Sequence, residues 1–293
     1  MTVIKPLHSL PSLLATLDAA VPSATVIIRP AALAEGCVAA KNIHAPHQWP
    51  PVHTALAAGY AVLARETVGA SVDTPVLPPQ GLLPVCIGDR LPAATDAVLD
   101  HQAVNRIGGK MEMITQVAPG EQVRMAGHDV RDGAIVIPAG TAVSAQHRLV
   151  CDVLSIKSIE AWDFALALQP HEDPSRQWLA DQLRMWGCCI DDHQVAPMMT
   201  IDWKADSAAQ LALLPGAGIG ASADHMAPVL YCPPRFDCVV ALVFAILLPV
   251  IAARTARRVQ TMSYILQRKL PSRIGISELV LLKIHGKEAY PFG

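Results

Sequence analysis

The chain has 293 residues, 52% of them hydrophobic and 16% charged, so it is long enough for several domains and too apolar for intrinsic disorder. A formal net charge of −2 gives no basis for nucleic acid as a general partner. Seven dispersed cysteines form no disulfide framework and suit a reducing, cytoplasmic setting.

Ser9 to Ala20 reads as a first helix, with Ser9 or Ser12 as its N-cap. The apolar stretch here is broken by Pro6, His8 and Pro11, unlike the core of a signal peptide. Thr25 to Ile28 is a short strand and Ala31 to Val38 a short helix. The loop His44 to Pro51, followed by His53, reads as a solvated, proline-rigid segment, since no Cys or carboxylate with ligand spacing joins its histidines. Ala58 to Val62 begins a β-rich unit. Val85 to Ile87 and Asp96 to Leu99 continue it, and Ile107-Gly108-Gly109-Lys110 is a hairpin turn. Gly120 to Ser144 follows, punctuated by Gly127, Gly133 and Gly140, with a strand at Ala134 to Ile137 and Arg124, His128, Asp129 and Arg131 crowding its first loop.

Beyond Ser144 the character changes. Leu149 to Ile156 reads as a buried strand. Pro174 to Trp186 is an amphipathic helix with Trp178, Leu179, Leu183 and Trp186 on one face, closed by Gly187. Cys189-Ile190 and Leu211 to Leu214 are strands, and a glycine loop runs from Pro215 to Gly220. Cys238 to Ala253 is apolar, short of the ~20 residues of a spanning helix, and reads as a buried helix of an α/β layer rather than a membrane segment. The alternation suggests a parallel sheet faced by helices. Arg254, Arg257 and Arg258 share a helical face, as a solvated end or an anion site. Ile276 to Ile284 and Ala289 to Phe292 form a hairpin about Gly286. Cys188, Cys189 and His193 are a conceivable thiol–imidazole metal site, although adjacent strand residues point to opposite faces.

Four stretches together resemble the molybdopterin molybdenumtransferase family, of the MoeA and gephyrin E-domain type. They are Gly59-Tyr60-Ala61-Val62, Gly88 to Leu99 (GDRLPAATDAVL), the pair RMAGHD and GAIVIPAGT at 124–129 and 133–141, and Pro271 to Gly275. The resemblance implies a multidomain fold, α/β plus β. Residues 1–54 and 121–148 would form an N-terminal linker and β domain, and 55–120 a small β-rich domain. Residues 149–258 would be a shortened three-layer molybdopterin-binding α/β domain, and 259–293 a C-terminal β unit. It further implies a homodimer, a ligand site between the α/β domain of one subunit and the β-rich part of another, a pterin such as molybdopterin, Mg²⁺, and exchange of AMP for molybdate. A cofactor-pathway protein is a further expected partner.

Carried over by position, Arg124, His128, Asp129, Gly216, Gly218, Gly220, Ser222 and Arg273 are the expected ligand-binding residues, with Asp129 and Asp224 for the cation. The sequence departs from the family at Ala58, Ile87 and His128, where the family has Asp, Thr and Glu. It shows no STGDEL counterpart after Leu154, and 215–224 and 233–239 replace two further loops. Binding a polyanion takes several positioned donors, so these losses predict a degenerate member without insertase activity. The alternatives are an active transferase with a rearranged site and a ligand-free assembly subunit.

Overall fold

The computed structural model describes residues 7–191, 196–204, 210–222, 227–259 and 261–292. The chain divides into two compact units: His44–Val136, and Met1–Ile43 together with Ile137–Gly293.

In the larger unit a short strand, Leu7–His8, pairs in parallel with Gln210–Leu211 and leads into α1, Leu10–Ala20. Ser9 Oγ accepts from Ser12 N at 3.3 Å, Pro11 sits in the first turn where no N–H is needed, and Leu13 and Leu17, one turn apart, are buried. Then come β1, Thr25–Pro30, and β2, Val38–Ala39. The helix expected over Ala31 to Val38 is only a 3₁₀ turn, Ala31–Leu33. The chain turns at Gly36, φ +83°, where a Cβ would lie 2.4 Å from Met185 O, so a continuing helix has no room.

The smaller unit is built on β3, Gly59–Val62, flanked in antiparallel fashion by β4, Leu83–Val85, and β5, Ala97–Asp100. The strand expected at Val85 to Ile87 ends at Val85 because the Asp89 carboxylate accepts from Cys86 N at 2.7 Å and starts a turn there. A hairpin of β6, Val104–Ile107, and β7, Lys110–Met113, turns through Gly108 and Gly109, both at positive φ as a two-residue turn requires. Tyr60, Val62, Leu99 and Met113 form this unit's core.

Back in the larger unit, residues expected as the strand Leu149 to Ile156 are instead α2, Ala145–Val153. Ser144 and His147 cap one another: Ser144 Oγ accepts from His147 N at 3.3 Å, and His147 Nδ1 accepts from Ser144 N at 3.1 Å. Two strands that the sequence reading passed over follow, β8, Ser158–Asp163, and β9, Ala165–Leu168. β8 pairs with both β1 and β2. Then come α3, Pro174–Met185; β10, Cys189–Ile190; β11, Met199–Asp202; β12, Gly220–Ser222; and β13, Val229–Tyr231. They form a five-stranded sheet in the order β10-β9-β11-β13-β12, parallel except for the edge strand β12.

The apolar run is α4, Phe236–Ala241, a π segment, Leu242–Leu247, and α5, Leu248–Thr255. Pro249 cannot donate to the helical ladder, and the wider turns before it absorb the displaced carbonyls. The continuous helix is 20 residues long, more than the apolar run alone. Val239, Leu242, Val243, Ile246, Leu247 and Ile251 are buried in one core with Leu13, Leu17, Leu179, Leu183, Leu166 and Ile201. The last sheet is β14, Ile265–Leu266; β15, Leu282–His285; and β16, Glu288–Pro291, in the order β14-β16-β15. The hairpin about Gly286 is present. Ser277–Glu278, expected in its first strand, pairs instead with Leu213–Leu214.

Candidate functional site

The parallel strands place one crevice by topology. From β9 the chain passes through α3 to β10 on one side, then returns to β11 on the other side of β9. At such a switch point the loops leaving the carboxyl ends diverge, and ligands bind in the gap. A cavity of about 760 Å³ lies there, lined by Leu168, Gln169, Pro170, Arg176, Asp191 and Pro197 among others. Its volume is that of a small-molecule site.

Arg176, in the first turns of α3, organises this edge. Its Nε donates to Gln169 O at 3.0 Å, and its Nη2 to Leu168 O at 3.0 Å and to Asp191 Oδ2 at 2.7 Å. Asp191 Oδ1 accepts from Leu168 N at 2.7 Å. Trp203 Nε1 donates to Gln169 O at 2.8 Å. Asp191 holds its position at φ +54°, a conformation that Asp tolerates better than most residues. Asp173 caps α3, and hydrogen bonds from Ser175 hold its carboxyl below the usual range. Three of the five guanidinium N–H groups are therefore engaged by two carbonyls and one carboxylate. The charges of Arg176 and Asp191 cancel, and the rest of the lining is largely apolar.

In the smaller unit Arg124, His128 and Asp129 do come together. Arg124 Nε donates to Asp129 Oδ1 at 3.1 Å and Nη2 to Oδ2, while His128 Nδ1 lies 3.1 Å from Oδ1. The bond to His128 and the Arg124 fork hold the Asp129 carboxyl below the usual carboxylate range. Both oxygens face a neighbouring donor. A cation at Asp129 would displace the guanidinium, and among the described residues no three His, Cys, Asp or Glu side chains gather to hold a metal ion. The implied Mg²⁺ does not fit this cluster.

Comparison with known proteins shows what the chain is similar to. Residues 8–151 match the MoeA N-terminal region, domains I and II. A Methanocaldococcus jannaschii protein named for molybdopterin biosynthesis is 29% identical over 140 residues, covering 45% of this chain and 35% of the relative. The chain thus spans about a third of that relative's length. A crystal structure of the molybdopterin biosynthesis MoeA protein of Pyrococcus horikoshii superposes with a TM-score of 0.68 at 19% identity, over 97% of this chain and 89% of that one. A second structure from the same organism gives 0.67 at 18%, over 98% and 90%.

This chain is MoeA-like.

In the MoeA-like chain the remaining expected residues are scattered. Gly216 packs inward, its Cβ position 3.1–3.4 Å from Ile219, Leu213 and Ala241. Gly220 and Ser222 belong to β12 and pair with Tyr231 and Val229. The loop therefore leads into an edge strand rather than into a helix whose N-terminus would present N–H groups to an anion. Gly218 lies in this turn, and Arg273 is exposed on the C-terminal segment. Asp224 and His193 lie outside the described residues. Cys188 is buried, and burial pushes its thiol up. Cys189 Sγ donates to Asp163 Oδ1 at 3.1 Å and accepts from Arg29 Nη2 at 2.8 Å, inside this unit rather than toward a metal. Arg254 and Arg257 are tied to the carbonyls of Val21 and Trp186, at 3.0 and 3.1 Å, so they are neither a solvated helix end nor an anion grip.

Sequence reasoning missed Arg176 and Gln169 because it missed β9. The first loop of the parallel sheet follows Leu168, not Leu154, and runs Gln169-Pro170-His171-Glu172-Asp173. The available signal was the Phe164–Leu168 apolar run followed by Pro170 and by an Asp–Pro helix start at 173–174.

Proposed function

We propose that this MoeA-like chain serves molybdenum cofactor metabolism by binding a pterin-type ligand in the crevice beside Leu168 and Gln169, without exchanging AMP for molybdate. This reading is supported by the bonding of Arg176: its Nε and Nη2 go to Leu168 O, Gln169 O and Asp191, and among the described residues of the lining it is the one cation, too little for a pyrophosphate. A flat heterocycle needs less. Asp191 and Gln169 supply acceptors for ring N–H groups, since each carboxylate oxygen takes more than one donor, and the Ala165–Leu168 backbone, Pro170 and Pro197 give an apolar wall. With Asp129 held by Arg124, no step is assigned to Mg²⁺.

The chain acts as a cytoplasmic homodimer with a cofactor-pathway protein as partner; light scattering of the purified chain checks the dimer. Titration calorimetry with molybdopterin tests the ligand. Saturable heat is expected, and Asp191→Ala is expected to abolish it. Heat unchanged in that variant, or none with the wild type, contradicts the proposal.

A further inference from the structure

We propose that β15, the outer strand of the C-terminal sheet, is a docking edge for an extended acidic peptide segment of another protein, which adds as a fourth strand. The order β14-β16-β15 leaves β15 paired on one side only. All four of its residues are exposed, and among the described residues no backbone hydrogen bond outside the β15–β16 hairpin reaches Leu282–His285. An exposed strand edge of this kind is a template for another chain.

The side chains state what kind of chain. Leu282-Lys283-Ile284-His285 alternates apolar and basic. By register, Leu282 and Ile284 share the face of Ala289, and Lys283 and His285 share the face of Glu288 and Tyr290. Leu282 and Ile284 are 38% and 40% exposed, with exposed Leu281 and Phe292 beside them in sequence or by the hydrogen bond from Phe292 N to Leu281 O. Residues 257–292 hold seven Lys and Arg against two Glu, a net of +5 in a chain of −2, so the other residues sum to −7. Glu288, one of the two acids, is already bonded to Gln267 Nε2 at 3.0 Å and Tyr290 OH at 2.7 Å. Among the described residues Arg268, Lys269, Arg273, Lys283 and Lys287 make no ion pair.

A second copy pairing through the same edge would bring two basic strands side by side, which is unfavourable across strands. A lipid surface would leave the open backbone edge without hydrogen-bond partners. An acidic extended segment meets all three needs: its backbone completes the ladder, its apolar side chains cover Leu282 and Ile284, and its carboxylates face Lys283, with Lys287 in the adjoining turn.

The test uses the full chain and a fluorescent peptide alternating Glu and Val, read by anisotropy. Saturable binding is expected. It should weaken about tenfold or more in Lys283→Glu/Lys287→Glu, a loss of about 1.4 kcal/mol, and vanish when alternate peptide nitrogens are methylated. A Lys–Val peptide should not bind. Circular dichroism checks that the exposed double variant keeps its fold. The proposal is overturned by absence of saturable binding, by equal binding of the methylated peptide, by binding only to phosphatidylserine vesicles, or by sedimentation showing self-association that occludes the edge.

Discussion

Replacing Arg176 with Met separates a structural staple from an anion grip. The variant keeps an unbranched apolar stem of similar length and removes three hydrogen bonds, to Leu168 O, Gln169 O and Asp191 Oδ2. At about 0.5–1.5 kcal/mol each, the gross loss is about 1.5–4.5 kcal/mol. The side chains of Arg176 and Asp191 are 23% and 32% exposed, so water reoccupies part of the site and the net cost falls to about 2–3 kcal/mol. For a unit of this size that lowers the melting temperature by roughly 4–12 °C. Lys at 176 reaches one acceptor and should recover about 1 kcal/mol. A double-mutant cycle with Asp191→Asn should show coupling of about 1 kcal/mol. The assay is urea unfolding followed by tryptophan fluorescence, repeated with inorganic pyrophosphate. A loss below about 0.5 kcal/mol, together with pyrophosphate stabilisation of the wild type that Arg176→Met removes, would show Arg176 to be an anion grip instead.

Four further outcomes concern other parts of the chain. Gly187→Ala should cost about 2–5 kcal/mol, because its φ is +78° and the new Cβ would lie 2.3 Å from Cys37 Cα and 2.5 Å from Cys37 N. Gly275→Ala, at φ +76° with nothing within 4 Å, should cost only about 1 kcal/mol in the same melt. Ser144→Ala should destabilise by about 1 kcal/mol through loss of the α2 cap, measurable by urea titration. Because the Asp129 pKa is depressed, its contribution to folding is complete above the ordinary Asp value of about 4 and is lost as pH falls through the lower folded value. Carboxyl NMR titration should show that depression, and Arg124→Ala should move the pKa upward.

What could be read in the sequence was what local chemistry decides. Ser9 and Pro11 start α1, Gly108-Gly109 turns the β6–β7 hairpin, and Asp173-Pro174 opens α3, each through a residue whose backbone preference acts within a few positions. Where tertiary context ruled, the reading failed. Leu149 to Val153 looks like a strand by composition, but a Ser144–His147 cap, with His where Glu or Gln is usual, makes it helical. β8 and β9 escaped because only Phe164 separates them and no turn residue marks the break. That omission hid the crevice, since Arg176, Gln169 and Asp191 converge only once β9 is placed between β10 and β11. The glycines at 216, 218 and 220 look alike in sequence. Packing separates them, one facing the Leu213–Ile219 core and another lying in a strand.

A MoeA-like chain whose Arg176 and Arg124 are engaged by its own carbonyls and carboxylates is expected not to exchange AMP for molybdate. The most direct measurement is AMP release from adenylylated molybdopterin with molybdate and Mg²⁺. No release above the protein-free blank is expected. Turnover that Asp129→Ala abolishes would contradict it.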